Sequence, residues 1–353
     1  MKGVELKLKY NTIEFKDNKL RLLDQRNIPN EVIFFTANNY QEVKFAISDM
    51  VVRGAPAIGA TAAYGVYMAA LEYKQLNKED FLFKLKKANK DLASARPTAV
   101  NLIWAIRRME KLIDENVEKN IEELVSLLFE EAKNIALEDI NTNKMMARNG
   151  NKIVPEGAVI LTHCNTGALA TVDYGTALGV IREAHFTGKN ISVYADETRP
   201  RLQGGRLTAF ELVEEGIPAT LIADSVAATL IRDGRIDLIL VGADRIAANG
   251  DTANKIGTYM LSELAKKFKI PFYIVAPVST IDFDIESGAD IEIEERSSNE
   301  LTHIKGIRIA PEGISVYNPA FDVTPAENIT GIITEKGIAE MPFKESLNNF
   351  KNE

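Results

Sequence analysis

Cys164 is the only cysteine of the 353-residue chain. It stands where an apolar run at 159–161, Val-Ile-Leu, gives way to Thr162-His163-Cys164-Asn165-Thr166-Gly167 and a row of small residues. That order predicts a buried strand, a tight turn and the start of a helix. Open α/β sheets place their chemistry at such a turn, outside the carboxyl end of a strand. Backbone N–H groups at a helix start favour a thiolate there. The competing reading is a free cysteine packed as a small hydrophobe.

Four more apolar runs follow, at 191–194, 220–222, 238–241 and 272–275. Three of them also end in charge. The first runs into Asp196-Glu197-Thr198-Arg199-Pro200-Arg201-Leu202-Gln203-Gly204-Gly205-Arg206, the second into Asp224-Ser225, and the third into Gly242-Ala243-Asp244-Arg245. The run at 272–275 ends in hydroxyls without charge. In a parallel sheet these ends share one edge, so a thiol, carboxylates and arginines converge there. Asp224 precedes a helical run and reads first as an N-cap. Asp196 reads as a cap or an arginine partner. Asp244 sits at a Gly-Ala turn well before the next helix; a carboxyl buried there would hold its proton and act as an acid, against a purely structural role. His163 invites a dyad with Cys164, but neighbours on a strand face opposite ways, so it is expected to pack away from the thiol. His185 and His303 stand alone without ligand spacing, and no metal is expected.

Arg53-Gly54-Ala55-Pro56 suits an anion, because a helix start offers unbonded N–H groups beside a guanidinium. The arginine-rich turn at 199–206 and Asn254-Lys255, read as near a helix start, suit one too. Arginines in solvated surface pairs are the competing reading. The sequence has no G-x-G-x-x-G after a strand and no P-loop pattern, so no dinucleotide fingerprint is present and no cofactor is expected.

The elements that must carry these residues fall into two groups. Residues 1–36 read as short strands at 6–10, 12–15 and 32–35, with Asp17-Asn18 as a turn. Val43, Ala46, Ile47 and Met50 then follow a helical period. Pro56 suits the first turn of a helix over about 57–74, apolar all round and therefore buried. Helices are expected at about 79–93, 98–114 and 119–146, with Arg96 on an extended joint before Pro97. Turn signals at 149–151 and 155–157 place a boundary between a strand-plus-helical domain, 1–147, and a second domain, 157–345. In the second, helical patterns at about 172–186, 206–215, 225–233 and 253–267 alternate with the apolar runs. That alternation indicates an α/β domain with a parallel sheet covered on both faces. Residues past 344 read as a frayed polar tail.

Length favours two domains, and a hydrophobic share of 46% suffices for sizeable cores. A net charge of −8 without a long basic run argues against nucleic acid. A lone cysteine excludes an intrachain disulfide and fits a reducing compartment. The N-terminus lacks a signal-peptide core. The apolar stretch 55–71 approaches membrane-span length, but its Gly/Ala content and its start at Arg53-Gly54 and Pro56 favour a buried helix. A soluble cytoplasmic protein that does not engage membranes is expected.

Several longer motifs go further: R-G-A-P-A-I-G at 53–59, T-H-C-N-T-G-A-L-A at 162–170, E-T-R-P-x-x-Q-G at 197–204, V-G-A-D-R-I-A-A-N-G-D-T-A-N-K-I-G-T at 241–258 and Y-N-P-A-F-D-V-T-P-A-E at 317–327. Together they closely resemble the methylthioribose-1-phosphate isomerase family over almost the whole chain. The resemblance implies a mostly helical N-terminal domain with a small antiparallel sheet, a Rossmann-like C-terminal domain and a homodimer. It implies conversion of an aldose 1-phosphate, a small sugar-phosphate substrate, to a ketose 1-phosphate. It implies Cys164 as catalytic thiol and Asp244 as proton donor, with substrate contacts from Arg53, Gly54, Ala55, Arg96, Gln203, Asn254 and Lys255. 5-Deoxyribose 1-phosphate and, more distantly, ribose 1,5-bisphosphate are alternative substrates. The regulatory subunits of the initiation-factor nucleotide exchange complex share this fold and are the non-catalytic alternative.

Overall fold

The computed structural model describes residues 10–96 and 99–352, so most of the strand expected at 6–10, and Pro97 and Thr98 of the expected joint, lie outside them. Contacts divide the chain into two units: Met1–Asn143 with Gly167–Gly175, and Lys144–Thr166 with Thr176–Glu353.

In the first unit β1 (Ile13–Lys16), β2 (Lys19–Leu23) and β3 (Phe34–Ala37) form the expected small antiparallel sheet. Asp17 and Asn18 turn the β1–β2 hairpin with φ of 52° and 59°, the left-handed pair that matches strand twist. The helices are α1 (Tyr40–Ser48), α2 (Ala55–Tyr73), α3 (Lys78–Ala93), α4 (Val100–Asp114) and α5 (Ile121–Asn151). Asn39 caps α1 by accepting from Glu42 N–H at 2.9 Å. Every residue of α2 from Ala57 to Ala70 is buried. A helix with no polar face must be surrounded, and α1, α3 and α4 pack on it. Among the described residues no helix is long and apolar enough to cross a membrane. The division between the units falls inside α5, which runs on through the turn signal at 149–151.

The second unit continues with β4 (Val159–Thr162), α6 (Ala177–Phe186), β5 (Ser192–Asp196), α7 (Ala209–Glu214), β6 (Ala219–Ile222), α8 (Val226–Arg232), β7 (Leu238–Val241), β8 (Arg245–Ala247), β9 (Thr252–Lys255), α9 (Thr258–Phe268) and β10 (Phe272–Val275). Then come β11 (Ile281–Asp282), α10 (Asn299–Thr302), β12 (His303–Ile304), β13 (Ile307–Arg308), β14 (Phe321–Thr324), β15 (Gly331–Thr334), β16 (Gly337–Ala339) and α11 (Phe343–Asn352). Among the described residues seven strands form the main sheet, in the order β16-β15-β10-β7-β4-β5-β6, all parallel except β16. Successive side chains alternate between its faces. Leu161, Ile239, Val241 and Ile274 pack with α8, α9 and α11, while Ile160, Leu238, Leu240 and Val275 pack with α6 and α7. This is the parallel sheet covered on both faces that the alternation of runs predicts.

Four expectations are corrected. The helix expected over 172–186 begins only at Ala177, because Tyr174 and Gly175 take left-handed φ of 74° and 88°. The helix expected over 206–215 is present, but its first turn is a wide π turn, Gly204–Thr208, that runs into α7. The helix expected over 253–267 opens with strand β9, and α9 starts at Thr258. The tail past 344 is α11, held because Phe343 and Leu347, one turn apart, are buried against the sheet.

Candidate active site

The sheet order fixes where the chain leaves an opening. From β4 it goes outward through β5 and β6, then returns to β7 on the other side of β4. Connections therefore diverge between β4 and β7, the position where doubly wound sheets bind ligands beyond their carboxyl ends. The two strands run in register, Thr162 opposite Leu240. Cys164 stands two residues beyond β4 and Asp244 three beyond β7. Their loops touch: a Cβ on Gly242 would lie 2.9 Å from Thr166 Cγ2, so this approach needs glycine.

Cys164 is partly buried and has φ of +64°, a conformation non-glycine residues rarely hold without support. The support is explicit. Its N–H donates to Thr198 Oγ1 at 2.8 Å, and its carbonyl accepts from Thr208 Oγ1 at 2.6 Å. The next residue, Asn165, donates to Glu211 Oε1 at 2.7 Å. Buried Glu211 neighbours buried Arg182, whose guanidinium pairs with Glu215. The helix expected directly behind Cys164 is absent; a single 3-10 turn, Ala168–Ala170, follows it.

His163 is buried, as the strand alternation predicts, and it has a further role. Its Nε2 lies 2.9 Å from the Ile256 carbonyl and its Nδ1 2.8 Å from Asp196 Oδ2. A carbonyl only accepts, so Nε2 carries a proton. The bond to Asp196 then holds one further proton. Burial opposes a charged imidazole, but the hydrogen bond and charge of Asp196 outweigh it and raise His163 above its ordinary value. Burial also raises the Asp196 carboxyl, against the pull of His163. The pair therefore keeps its shared proton. Asp196 Oδ1 has no hydrogen-bond partner.

Asp196 is thus neither a cap nor an arginine partner. Asp224 is not a helix cap either: its oxygens accept from Thr198 N–H at 2.7 Å and Arg199 N–H at 2.8 Å. Through Thr198 it supports the amide of Cys164. His163, Asp196 and Asp224 each bring a potential metal-ligand atom within 4.8 Å of the others, the one such group among the described residues. The hydrogen bonds just described already account for its arrangement.

Gln203 is buried and its Oε1 lacks a partner. Asn254 and Lys255 are buried at the end of β9, opposite Asp322 and Phe321 of β14, and lie just before the start of α9 as expected. Asn254 Nδ2 donates to Thr258 Oγ1 at 3.0 Å. Lys255 Nζ donates to the Ala320 carbonyl at 2.6 Å and lies 4.5 Å from the Phe321 ring centre. Asp244 is exposed, so it is not the buried carboxyl of the acid alternative, and its N–H donates to the Ala253 carbonyl of β9 at 2.9 Å. Cys164, Asp244, Gln203, Asn254 and Lys255 thus all belong to the second unit. The arginine-rich turn serves structure: Arg199 donates to the Pro200 and Leu301 carbonyls, and Arg201 pairs with Glu300 at 2.8 Å.

Arg53, Gly54, Ala55 and Arg96 belong to the first unit. Gly54 precedes α2 with φ of +93° and, having no side chain, gives the amides at the start of α2 no cap. Gly54 lies against the Ala170 carbonyl, whose segment is pinned within this unit by Thr12 Oγ1 on Ala168 O and Gln25 Nε2 on Leu169 O. Arg53 and Arg96 are partly buried. Sequence reasoning missed Thr198, Thr208, Glu211 and Arg182, whose importance lies only in what they hold.

A Rossmann-like α/β unit with a thiol and a carboxylate flanking its switch point defines a class of small-molecule site. The chain belongs to the Initiation factor 2 subunit family, whose model matches residues 51–341. It is 66% identical over 340 residues to the methylthioribose-1-phosphate isomerase of Thermoanaerobacter sp. (strain X514), spanning 96% of this chain and 99% of that one. Among solved structures it resembles 5-methylthioribose 1-phosphate isomerase from Pyrococcus horikoshii OT3, with a TM-score of 0.93, 47% identity and coverage of 98% and 97% of the two chains. It also resembles the translation initiation factor eIF-2B delta subunit from A. fulgidus, with a TM-score of 0.88, 43% identity and coverage of 98% and 100%.

Proposed function

We propose that this chain is an aldose–ketose isomerase converting 5-methylthioribose 1-phosphate to 5-methylthioribulose 1-phosphate in methionine salvage. The observation that carries this reading is the placement of Cys164 and Asp244 on either side of the switch point, in a chain so close to full-length relatives of that name. The substrate is a phosphorylated hemiacetal with no free aldehyde. Asp244 protonates the ring oxygen as the ring opens, and Cys164 acts in the transfer of hydrogen from C2 to C1. The C2 hydroxyl gives up its proton and becomes the ketone, while the phosphate stays on C1. The buried, unpartnered Oε1 of Gln203 suits a sugar hydroxyl, since an unmet buried acceptor favours a ligand that can donate. Asn254 and Lys255 are assigned as further substrate contacts. So are Arg53, Gly54, Ala55 and Arg96, because uncapped helix-start amides with guanidinium groups suit a phosphate. The same reading includes a homodimer and a cytoplasmic location.

The test is kcat/KM measured side by side on 5-methylthioribose 1-phosphate, 5-deoxyribose 1-phosphate and ribose 1,5-bisphosphate. The first is expected to be preferred. A comparable rate on the second would widen the substrate class to 5-deoxypentose phosphates. Cys164→Ala and Asp244→Asn are each expected to lower kcat by about 10²-fold or more while substrate still binds. No turnover of any of the three sugars by the wild-type chain would refute the reading and favour a binding role, as the likeness to the A. fulgidus factor would then suggest.

A further inference from the structure

We infer that His163 is a positioning residue that holds the Asn254–Lys255 strand end in register with the Cys164 turn, by spanning from Asp196 to the Ile256 carbonyl. The inference rests on the proposed isomerase reading for its catalytic consequence and on geometry for the rest.

Three separate pieces of chain meet at this one ring. His163 itself follows β4 and precedes Cys164. Asp196 ends β5, and Ile256 follows Lys255 directly. Both ring nitrogens are engaged, at 2.8 and 2.9 Å, and the side chain is 1% exposed. The bond to Asp196 is buried and that to Ile256 partly so, and losing the ring leaves the Asp196 carboxylate without its partner and unties the Ile256 carbonyl. The Asp196 backbone carbonyl also accepts from Thr198 Oγ1, the group that receives the Cys164 amide. Asp196 therefore braces the thiol turn through its backbone and the ring through its side chain. Beyond Ile256, the Gly257 and Tyr259 amides donate to Asp322 at 2.7 and 3.0 Å. Asp322 faces Asn254 across the β9–β14 ladder. The segment after Lys255 is thus gripped by its carbonyl on one side and its amides on the other. The His163 grip refers it to the sheet edge bearing the thiol.

Two amide side chains separate this role from any other. In His163→Gln the terminal nitrogen reaches about as far as Nε2 and retains a donor for Ile256. In His163→Asn the nitrogen stands near Nδ1 and cannot reach it. We expect KM for the preferred sugar phosphate to rise at least tenfold in His163→Asn with a smaller change in kcat, and to stay within about threefold of wild type in His163→Gln. In amide hydrogen exchange we expect residues 252–258 to lose protection in His163→Asn and to keep it in His163→Gln. Wild-type KM and unchanged exchange in a folded His163→Asn would overturn the inference. So would an equal collapse of kcat in both variants at unchanged KM, which would make the ring a proton carrier. If His163→Asn does not fold, His163→Gln decides alone, and a tenfold rise in its KM would refute the positioning role. Should the wild-type chain turn over no sugar phosphate, the isomerase reading falls, and the exchange pattern still judges the brace.

Discussion

Asp139→Asn is expected to make the stability of the first unit less sensitive to rising pH. Asp139 lies on α5 and accepts from Val172 N–H at 2.7 Å. Burial of its carboxyl, the largest influence, pushes it from an ordinary 3.8 up to about 7, with the Asp173 charge adding to the rise and the bonds from Val172 and Asn143 opposing it. A raised carboxyl contributes stability that is complete below the unfolded value and is lost as pH climbs to the folded one. Between those values the folded chain holds a proton that the unfolded chain has released. Stability then falls by about 1.4 kcal/mol per pH unit, a ceiling of ~4 kcal/mol over the whole window. The residue as a whole is only partly buried, which weakens the effect. From pH 5.5 to 8 the titrating part of the window spans roughly 1.5 units, a ceiling of about 2 kcal/mol. Asparagine keeps an oxygen for Val172 and has no proton to lose. The stability difference, Asp139→Asn minus wild type, is therefore expected to grow by about 1–2 kcal/mol between pH 5.5 and 8. Urea titration followed by fluorescence reads this directly, because the single tryptophan, Trp104, sits on α4 of the same unit. Parallel stability profiles for the two proteins, or a difference that shrinks as pH rises, would refute the reasoning.

Two further substitutions probe what holds the candidate site. Gly54→Ala places a Cβ 2.1 Å from the Ala170 carbonyl oxygen at a φ of +93°, so a loss of about 2 kcal/mol or more is expected; an unchanged melting temperature would contradict the close approach. Arg182→Met leaves buried Glu211 and partly buried Glu215 without their guanidinium, which costs about 3–5 kcal/mol, and adding Glu211→Gln and Glu215→Gln is expected to recover part of it. A loss below ~1 kcal/mol in urea unfolding would show that the cluster carries little, since breaking one side of a buried pair is the costly change.

The main sheet was legible because its strands are short apolar runs with charged ends, and burial on both faces demands that pattern. The helix α2 was legible for the same reason: a stretch from 57 to 70 with hardly a polar group has nowhere to go but inside. What the sequence hid were roles decided by long-range partners. Asp224 before a helical run looks like any cap, yet its oxygens turn to Thr198 and Arg199 on a neighbouring loop. Arg199 and Arg201 look like an anion site, yet they bind Leu301 and Glu300, a hundred residues away. Residues 253–255 read as the start of the helical stretch that becomes α9, and only pairing with β8 and β14 makes them a strand. The division inside α5 has no local mark, because a helix carries its hydrogen bonds across it unchanged.

The four aspartates near the ends of β5, β6 and β7 and on β14 show why one of them differs. Asp196 answers the His163 ring, Asp224 answers two amides of the loop that supports Cys164, and Asp322 answers two amides after β9. Each is spent on backbone or ring geometry, and moving a proton onto or off any of them would disturb a bond that shapes the edge. Asp244 stands apart. It is the exposed member of the set, and its tie to β9 is made by its backbone N–H. A general acid has to exchange a proton every cycle, and an exposed carboxyl can do so with solvent. Of the four, Asp244 is the exposed one, so the proposed reading gives the proton transfer to it and leaves the ordering of the edge to Asp196, Asp224 and Asp322.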